Sequence, residues 1–191
     1  MGRAKSQYIR VIAGEYRGRR LSYPSDRSLR PTMDRTRESL FASIQERVAA
    51  GGFADLFCAA GGVGIEALSR GAAVVHFVEK SRLALDHLRQ NLIACGVADR
   101  RNQIHAGDVL EFVEAGGLDD PSIRVVFADP PYDGDQASRL LAHFGSKAYD
   151  HIELFVLEHR DPVEEASLGA LDFARSKRFG ATYLSFWHHR R

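Results

Sequence analysis

The segment that decides the fold is residues 55–64, which read Asp-Leu-Phe-Cys-Ala-Ala-Gly-Gly-Val-Gly. Apolar residues lead into a run of small ones, and Ile65, Ala67 and Leu68 follow at helical spacing. A strand that passes through a glycine-rich turn into a helix is typical of the ligand-binding edge of an open α/β sheet. The turn lacks the G-x-G-x-x-G spacing of a dinucleotide site. It predicts a nucleoside-type ligand or, alternatively, a tight turn whose glycines serve only packing.

Strands and helices alternate along most of the chain. Apolar runs predict strands at 53–58, 73–78, 103–106, 125–128 and 152–157, and helical periodicity predicts helices at 63–70, 81–95, 109–115 and 136–144. This alternation implies a parallel sheet covered on both faces, a doubly wound α/β domain. A helix capped by Thr32 is expected before the first of these strands, and a strand hairpin at 173–179 and 181–187 is expected after the last.

Acidic residues follow the second and third of these strands. Glu79 ends the second strand, where a carboxylate can accept hydrogen bonds from both hydroxyls of a ribose. Asp108 follows the third strand, where it can accept from an adenine amino group. Each acid taken singly also fits a helix N-cap or a solvated charge. Because the carboxyl ends of parallel strands share one rim, we expect these acids to converge with Asp55 on one site.

The fourth strand ends in residues 125–132, Val-Val-Phe-Ala-Asp-Pro-Pro-Tyr. Consecutive prolines stiffen the chain and donate no N–H, so the carbonyls of Asp129 and Pro130 can point away from the sheet as acceptors. The Asp129 carboxylate and the Pro130 carbonyl can bind an exocyclic NH₂ of a nucleobase, and Tyr132 offers a ring on which a flipped base can stack. We predict that Asp129, Pro130, Pro131 and Tyr132 form the catalytic segment. The alternative is a rigid turn capped by Asp129.

Charge is distributed unevenly along the chain. The 191 residues include 26 Lys+Arg and 25 Asp+Glu, a net charge of +1. Residues 1–37 hold ten basic and three acidic residues, a net charge of +7, residues 175–191 carry +5, and the body between them carries −11. Such asymmetry indicates a polyanionic partner such as RNA. The residues predicted to bind its phosphates are Arg10, Arg17, Arg19, Arg20 and Arg35.

A basic β-hairpin is predicted at residues 8–23, where apolar residues alternate with polar ones around two glycines. Its tyrosines, Tyr8, Tyr16 and Tyr23, offer further stacking surfaces. Behind the hairpin, Arg30, Arg35 and Arg37 fit either phosphate contacts or structural ion pairs.

Several classes of protein are disfavoured. The sequence contains no run of about 18 apolar residues and its start lacks the apolar run of a signal peptide, so we expect a soluble, cytoplasmic protein without a membrane partner. Cys58 and Cys95 lie far apart without C-x-x-C spacing, which disfavours a disulfide framework or a zinc site. His188 and His189 have no acid or cysteine nearby, and we expect no metal.

Taken together, DLFCAAGGVGIEAL, FVEKS, AGDVLEF and VVFADPPY resemble the motifs of a class I, Rossmann-like, S-adenosylmethionine (SAM)-dependent methyltransferase that methylates amines. The head of the chain, IRVIAGEYRGRRL and LRPTMDRTRESLF, is similar to the RsmD family of bacterial 16S rRNA guanine-N2 methyltransferases. This resemblance covers residues 9–187 and is most specific in the arginine-rich head.

The resemblance implies SAM as cofactor and a guanine N2 of 16S rRNA, in the small subunit or its assembly intermediate, as substrate. It implies a basic RNA-binding hairpin extension at residues 1–31 and a catalytic domain at 32–191. The cofactor-binding residues of this interpretation are Asp55, Phe57, Ala59, Gly61, Gly64, Glu79 and Asp108. Ala59 departs from the family pattern, which usually has glycine there, and an added methyl group is expected to weaken cofactor binding if the backbone needs a positive φ.

Three alternatives stay open at this point. The Asp-Pro-Pro-Tyr segment is shared with DNA adenine-N6 methyltransferases, and the absence of a separate target-recognition domain in these 191 residues counts against that alternative. A NAD-dependent oxidoreductase would use a similar sheet but would leave that segment unexplained. Ala59 favours a catalytically silent binder of ribosomal RNA. Nothing in the sequence requires more than a monomer.

Overall fold

The computed structural model describes residues 7–24, 34–49, 51–160, 163 and 166–190. Its centre is a seven-stranded sheet in the order β5-β4-β3-β6-β7-β9-β8. The strands are β3 Gly52–Leu56, β4 Val75–Glu79, β5 Asn102–Ala106, β6 Ile123–Ala128, β7 Leu154–His159, β8 Leu171–Phe179 and β9 Thr182–His189. Strands β3 to β7 are parallel, and β9 runs antiparallel between β7 and β8. The order reverses at β3 and β6, which is where open α/β sheets bind ligands.

In the described part of the chain, five α-helices cover the two faces of this sheet. They are α1 Asp34–Val48, α2 Gly62–Ser69, α3 Arg82–Cys95, α4 Val109–Glu114 and α5 Gln136–Ser146. One apolar cluster holds the first three helices against the sheet, through residues such as Phe41, Ile65 and Leu88. The other holds α4 and α5, through Val113 and Phe144. The doubly wound arrangement predicted from the alternation is therefore confirmed.

The predicted N-terminal hairpin is present as β1 Gln7–Arg10 and β2 Arg20–Tyr23. It shares the core of the main sheet, because Leu21 and Tyr23 are buried in the cluster beneath α2 and α3. Polar contacts complete the docking. The Asn91 amide of α3 accepts the Ser22 N–H at 2.8 Å and donates both to the Ser22 carbonyl at 3.0 Å and to the Ala60 carbonyl at 2.9 Å. One side chain thus joins the hairpin to the turn after β3.

The loop of the hairpin is fixed to α2. The Glu66 carboxylate accepts the N–H groups of Ile12 and Ala13, at 2.7 and 3.0 Å. Gly14 has a φ of +85°, and a Cβ there would collide with the backbone of Ser69, so only glycine fits this approach.

Two expectations about the basic head are corrected by burial. Tyr16 and Tyr23 are buried because they form the apolar side of the hairpin, so neither offers a stacking surface, whereas Tyr8 is 53% exposed. Arg37 is also fully buried, and its Nη2 donates to the Arg10 carbonyl at 2.7 Å. Burial therefore keeps Arg37 from phosphate contacts, and its hydrogen bond to a backbone carbonyl gives it a structural role. The Thr32 cap, Arg30 and the boundary between residues 31 and 32 lie outside the described residues.

Strand ends differ slightly from the predicted ones. β3 stops at Leu56 because Phe57 adopts a left-handed φ of +62°, which ends the ladder before Cys58. β7 continues to His159 and so includes Glu158. Among the described residues, no helix is both long enough and apolar enough to cross a bilayer.

Candidate active site

A cavity of about 520 Å³ opens at the carboxyl edge of the five parallel strands. Each of these strands contributes residues from its end or from the loop that follows. The lining consists of Phe57, Ala59, Glu79, Lys80, Ser81, Gly107, Asp108, Val109, Asp129, Pro130, Pro131, Tyr132, Asp133 and Arg160. The volume lies within the range of roughly 300–1,000 Å³ that is usual for small-molecule sites.

The turn after β3 approaches the cavity through two residues with left-handed backbone. Phe57 has a φ of +62° and Ala59 a φ of +46°, a region that disfavours any residue with a Cβ. The positive φ on which the expected effect of Ala59 depends is therefore present. A non-glycine residue in this region is strained by about 1–2 kcal/mol. The fold of the turn therefore keeps Phe57 and Ala59 in a backbone conformation that residues with a Cβ disfavour.

Glu79 faces the cavity at the end of β4. Its two oxygens accept the N–H of Ala59 at 3.0 Å and the N–H of Ser81 at 2.7 Å. The residue is 8% exposed, and each carboxylate oxygen has a further lone pair to offer. The two backbone bonds fix the direction of this acceptor pair, which suits a vicinal diol.

Asp108 caps α4 by accepting the Leu110 N–H at 2.9 Å, and Lys80 Nζ lies 3.3 Å from its other oxygen. Partial burial raises the pKa of Asp108, but the Leu110 N–H and the Lys80 ammonium outweigh it and hold the pKa below its usual value. Asp108 is therefore an ionised acceptor on the cavity wall as well as a helix cap.

Three residues of the predicted cofactor set lie beneath the cavity and do not line it. Asp55 is buried and accepts the Gly64 N–H at 2.7 Å. A Cβ on Gly64 would strike the ring of Phe77, and one on Gly61, which has a φ of +84°, would strike Leu88. Gly64 therefore lets α2 pack closely on the sheet, and Gly61 lets the turn pack closely on α3. Burial raises the pKa of Asp55 to about 7, against the effect of the Gly64 hydrogen bond.

The predicted catalytic segment begins where β6 ends. The Asp129 N–H donates to the Leu56 carbonyl at 3.3 Å, which carries the ladder one residue past Ala128. Asp129 to Tyr132 then line the cavity opposite Glu79 and Asp108. The structure thus brings the amine-binding candidates and the two carboxylate candidates to one cavity.

Tyr132 is held from two sides. Its hydroxyl donates to Glu158 Oε1 at 3.4 Å, and the Arg160 guanidinium lies 4.2 Å from the ring centroid. The ring is 38% exposed. Burial, followed by the charge of Asp129, raises the pKa of Tyr132, so the phenol stays protonated and can act as a hydrogen-bond donor.

Lys80, Ser81 and Arg160 line the cavity but were not among the predicted site residues. Glu158 lies beneath Tyr132, is buried, and has one oxygen without a hydrogen-bond partner among the described residues. Burial raises its pKa. The sequence feature that could have indicated Glu158 and Arg160 as site residues is a pair of charged residues at the end of an apolar strand.

The residues predicted to bind RNA phosphates lie on the outer surface. Arg10, Arg17, Arg19, Arg20 and Arg35 are all exposed. The Arg20 guanidinium stacks 4.5 Å from the centroid of the exposed Tyr8 ring, which leaves a cation and a ring together on the hairpin. Within the described part of the chain, no group of three or more His, Cys, Asp or Glu residues is arranged to hold a metal ion.

This fold, with its rim of carboxylates and its Asp-Pro-Pro-Tyr segment, defines a methyltransferase of class I architecture. Residues 9–188 match the family model described as "Conserved hypothetical protein 95". The chain belongs to this family, which is the RsmD family identified from the sequence.

Relatives support the assignment over the whole chain. A Bacillus subtilis protein named "Putative rRNA methyltransferase YlbH" is 32% identical over 95% of this chain and 100% of its own length. "Ribosomal RNA small subunit methyltransferase D" of Escherichia coli is 35% identical over 66% of this chain and 62% of its own. The solved structure "Putative methyltransferase yhhF from Escherichia coli" superposes with a TM-score of 0.77 and 25% identity, covering 96% of this chain and 99% of that one. The predicted methyltransferase fold is thereby confirmed.

Proposed function

We propose that this protein is a SAM-dependent methyltransferase that modifies the exocyclic N2 amine of a guanine in 16S rRNA. The observation that carries the proposal is that the Asp129–Tyr132 segment lines the same cavity as Glu79 and Asp108. The names of the relatives support ribosomal RNA as the substrate class. The choice of guanine N2 rests on the resemblance of the arginine-rich head.

The cavity suits a nucleoside-type cofactor that carries a positive charge. Glu79 would bind the ribose hydroxyls, and Asp108 would bind the adenine amino group. The acidic lining residues outnumber the basic ones, four (Glu79, Asp108, Asp129 and Asp133) to two (Lys80 and Arg160), which favours a cation. When bound, SAM supplies an electrophilic methyl group on its sulfonium.

In this proposal the residues that follow β6 act directly on the target amine. The Asp129 carboxylate and the Pro130 carbonyl accept hydrogen bonds from the two N–H groups of the target amine and direct its lone pair into the cavity. Positive charge develops on that nitrogen as it attacks, and the carboxylate stabilises it. As the nitrogen–methyl bond formed, the sulfur–methyl bond would break and S-adenosylhomocysteine would leave. No strong base is needed beforehand, because the proton would be lost afterwards, to the Asp129 carboxylate or to water. Tyr132 supplies the ring on which the base stacks.

RNA would reach this cavity from the hairpin side. The exposed arginines Arg10, Arg17, Arg19, Arg20 and Arg35 bind phosphates, and the acidic body disfavours other approaches. In this proposal residues 1–31 are the RNA-binding extension and 32–191 the catalytic domain. The protein acts as a monomer in the cytoplasm, on the small subunit or its assembly intermediate.

The test is transfer of a tritiated methyl group from SAM to small subunits, to naked 16S rRNA and to DNA, followed by nucleoside analysis. We expect label in N2-methylguanine from one of the RNA substrates. Label in N6-methyladenine of DNA would overturn the substrate assignment. Calorimetry with SAM and with NAD is the control for the cofactor, and absence of SAM binding would overturn the enzyme assignment.

A further inference from the structure

The edge strand β8 is strongly basic. Between Phe173 and Thr182 the chain holds three basic residues and no acidic one. These residues are Arg175, Lys177 and Arg178, and all three are exposed. An outer strand with this positive charge resists pairing with a further strand and attracts polyanions.

Cations and rings are stacked where this strand ends. The Arg178 guanidinium lies 5.7 Å from the Tyr183 ring centroid, and the Tyr183 and His159 rings stack at 5.6 Å with an interplanar angle of 12°. Arg160 follows His159 in the chain and stacks on Tyr132 at the cavity mouth.

Strand directions bring these groups to the carboxyl edge of the sheet, where β7 ends. β7 ends at His159, which pairs with Tyr183 near the start of β9, and Tyr183 pairs with Arg178 near the end of β8. Since neighbouring strands lie about 4.8 Å apart, His159 and Arg178 are separated by about 10 Å along the edge. The stack therefore extends outward from the cavity mouth.

We propose that Arg160, Tyr183 and Arg178 form a ledge next to Tyr132 that binds the single-stranded RNA flanking the target nucleotide. The inference rests on the proposed function, because the cavity must hold the target base. Two features favour RNA over a protein partner. Neither guanidinium group has a carboxylate within ion-pair distance among the described residues. Both are exposed and stacked on rings, and unpaired bases can stack on guanidinium planes. The ledge gives the basic C-terminal hairpin a role separate from that of the N-terminal one.

The experiment measures binding of a fluorescein-labelled single-stranded 16S rRNA fragment to the full chain saturated with S-adenosylhomocysteine, by anisotropy at several salt concentrations. We expect Arg160→Ala and Arg178→Ala each to raise Kd several-fold and to reduce the slope of log K against log [salt] by about 0.7, the value for one phosphate contact on a single strand.

Arg124→Ala is the matched control, because Arg124 is a half-buried arginine near the start of β6, at the opposite end of the strands, and it is paired with Glu153 at 3.5 Å. Thermal melting verifies that each variant is folded. Ledge variants whose Kd and salt slope equal those of the control would overturn the ledge.

Methylated nucleosides are analysed from the same preparations, so the two proposals fail separately. N2-methylguanine with unaltered RNA binding in the variants contradicts the ledge alone. Weakened RNA binding in the variants, with wild-type product other than N2-methylguanine, contradicts the proposed reaction and leaves the ledge supported.

Discussion

The carboxylate of Glu79 accepts the backbone N–H of Ala59 at 3.0 Å. The acid assigned to the ribose is therefore bonded to a turn residue that departs from the family pattern. Because Ala59 has a φ of +46°, this bond is made by a backbone that an L residue rarely adopts. The orientation of the Glu79 carboxylate therefore depends on the strained backbone conformation of Ala59.

Replacing Ala59 with glycine tests this link. We expect Ala59→Gly to bind S-adenosylhomocysteine about fivefold more tightly, since about 1 kcal/mol of unfavourable contact between the Ala59 methyl group and the ligand is removed. Stability should change by less than about 1 kcal/mol, because relief of the left-handed backbone offsets the greater freedom of glycine in the unfolded chain. Calorimetry and urea denaturation give the two values. An unchanged Kd would show that the methyl group is tolerated.

Asp129→Ala separates binding from chemistry. We expect methyl transfer to fall by at least about 100-fold, since the variant loses the charge that stabilises the developing cation. Binding of S-adenosylhomocysteine should be nearly unaltered, because Glu79 and Asp108 are intact. Asp129→Asn is the matched variant, which keeps an acceptor oxygen but no charge, and it should show intermediate rates. Wild-type rates in both variants would exclude the role given to Asp129.

The contact between Tyr132 and Glu158 is suited to a double-mutant cycle. Tyr132→Phe and Glu158→Gln each remove part of the 3.4 Å hydrogen bond while keeping the size of the side chain. We expect each to lower kcat several-fold and the double variant to lower it little further, with a coupling energy of roughly 0.5–1.5 kcal/mol. Rates under saturating substrate give the cycle. Additive effects would indicate that Glu158 does not position the ring.

Asp55 predicts a dependence of stability on pH. Its pKa is about 7 in the folded protein, against about 3.9 in an unfolded chain. Between these values the folded state retains a proton that the unfolded state has lost, so the stability from this group is present below about pH 4 and is lost as pH rises towards 7.

The variant Asp55→Asn cannot titrate at this position and can still accept the Gly64 N–H. From pH 5 to pH 8, the free energy of unfolding of the wild type should therefore fall relative to that of Asp55→Asn, by on the order of 2 kcal/mol. Urea denaturation at the two pH values measures this difference. Parallel curves for the two proteins would contradict a raised pKa.

Much of the fold could be predicted because local patterns determine it. Apolar runs, helical periodicity and the small residues of the β3–α2 turn act within a few positions of each other, and their order implies the parallel sheet. A parallel sheet in turn gathers the strand ends, which is why Glu79, Asp108 and Asp129 could be expected at one rim.

What escaped prediction depends on contacts between distant segments. The stacking of Arg160 on Tyr132 requires the ends of β7 and β6 to be neighbours, and neither residue carries a sign of the other in its local sequence. Likewise, the sequence predicts Tyr16 and Tyr23 as stacking surfaces for RNA, whereas in the structure α2 and α3 cover that side of the hairpin. Alternation within a hairpin shows two faces, but which face is covered is decided elsewhere in the chain.

The Asn91 amide links the hairpin to the turn beside the cavity. It donates to the carbonyl of Ser22 in the hairpin and to the carbonyl of Ala60 in the turn after β3. A displacement of the hairpin that moved Ser22 would therefore also move the residue next to Ala59. If binding at the hairpin and binding in the cavity are coupled in this way, linkage requires that each changes the affinity of the other by the same factor.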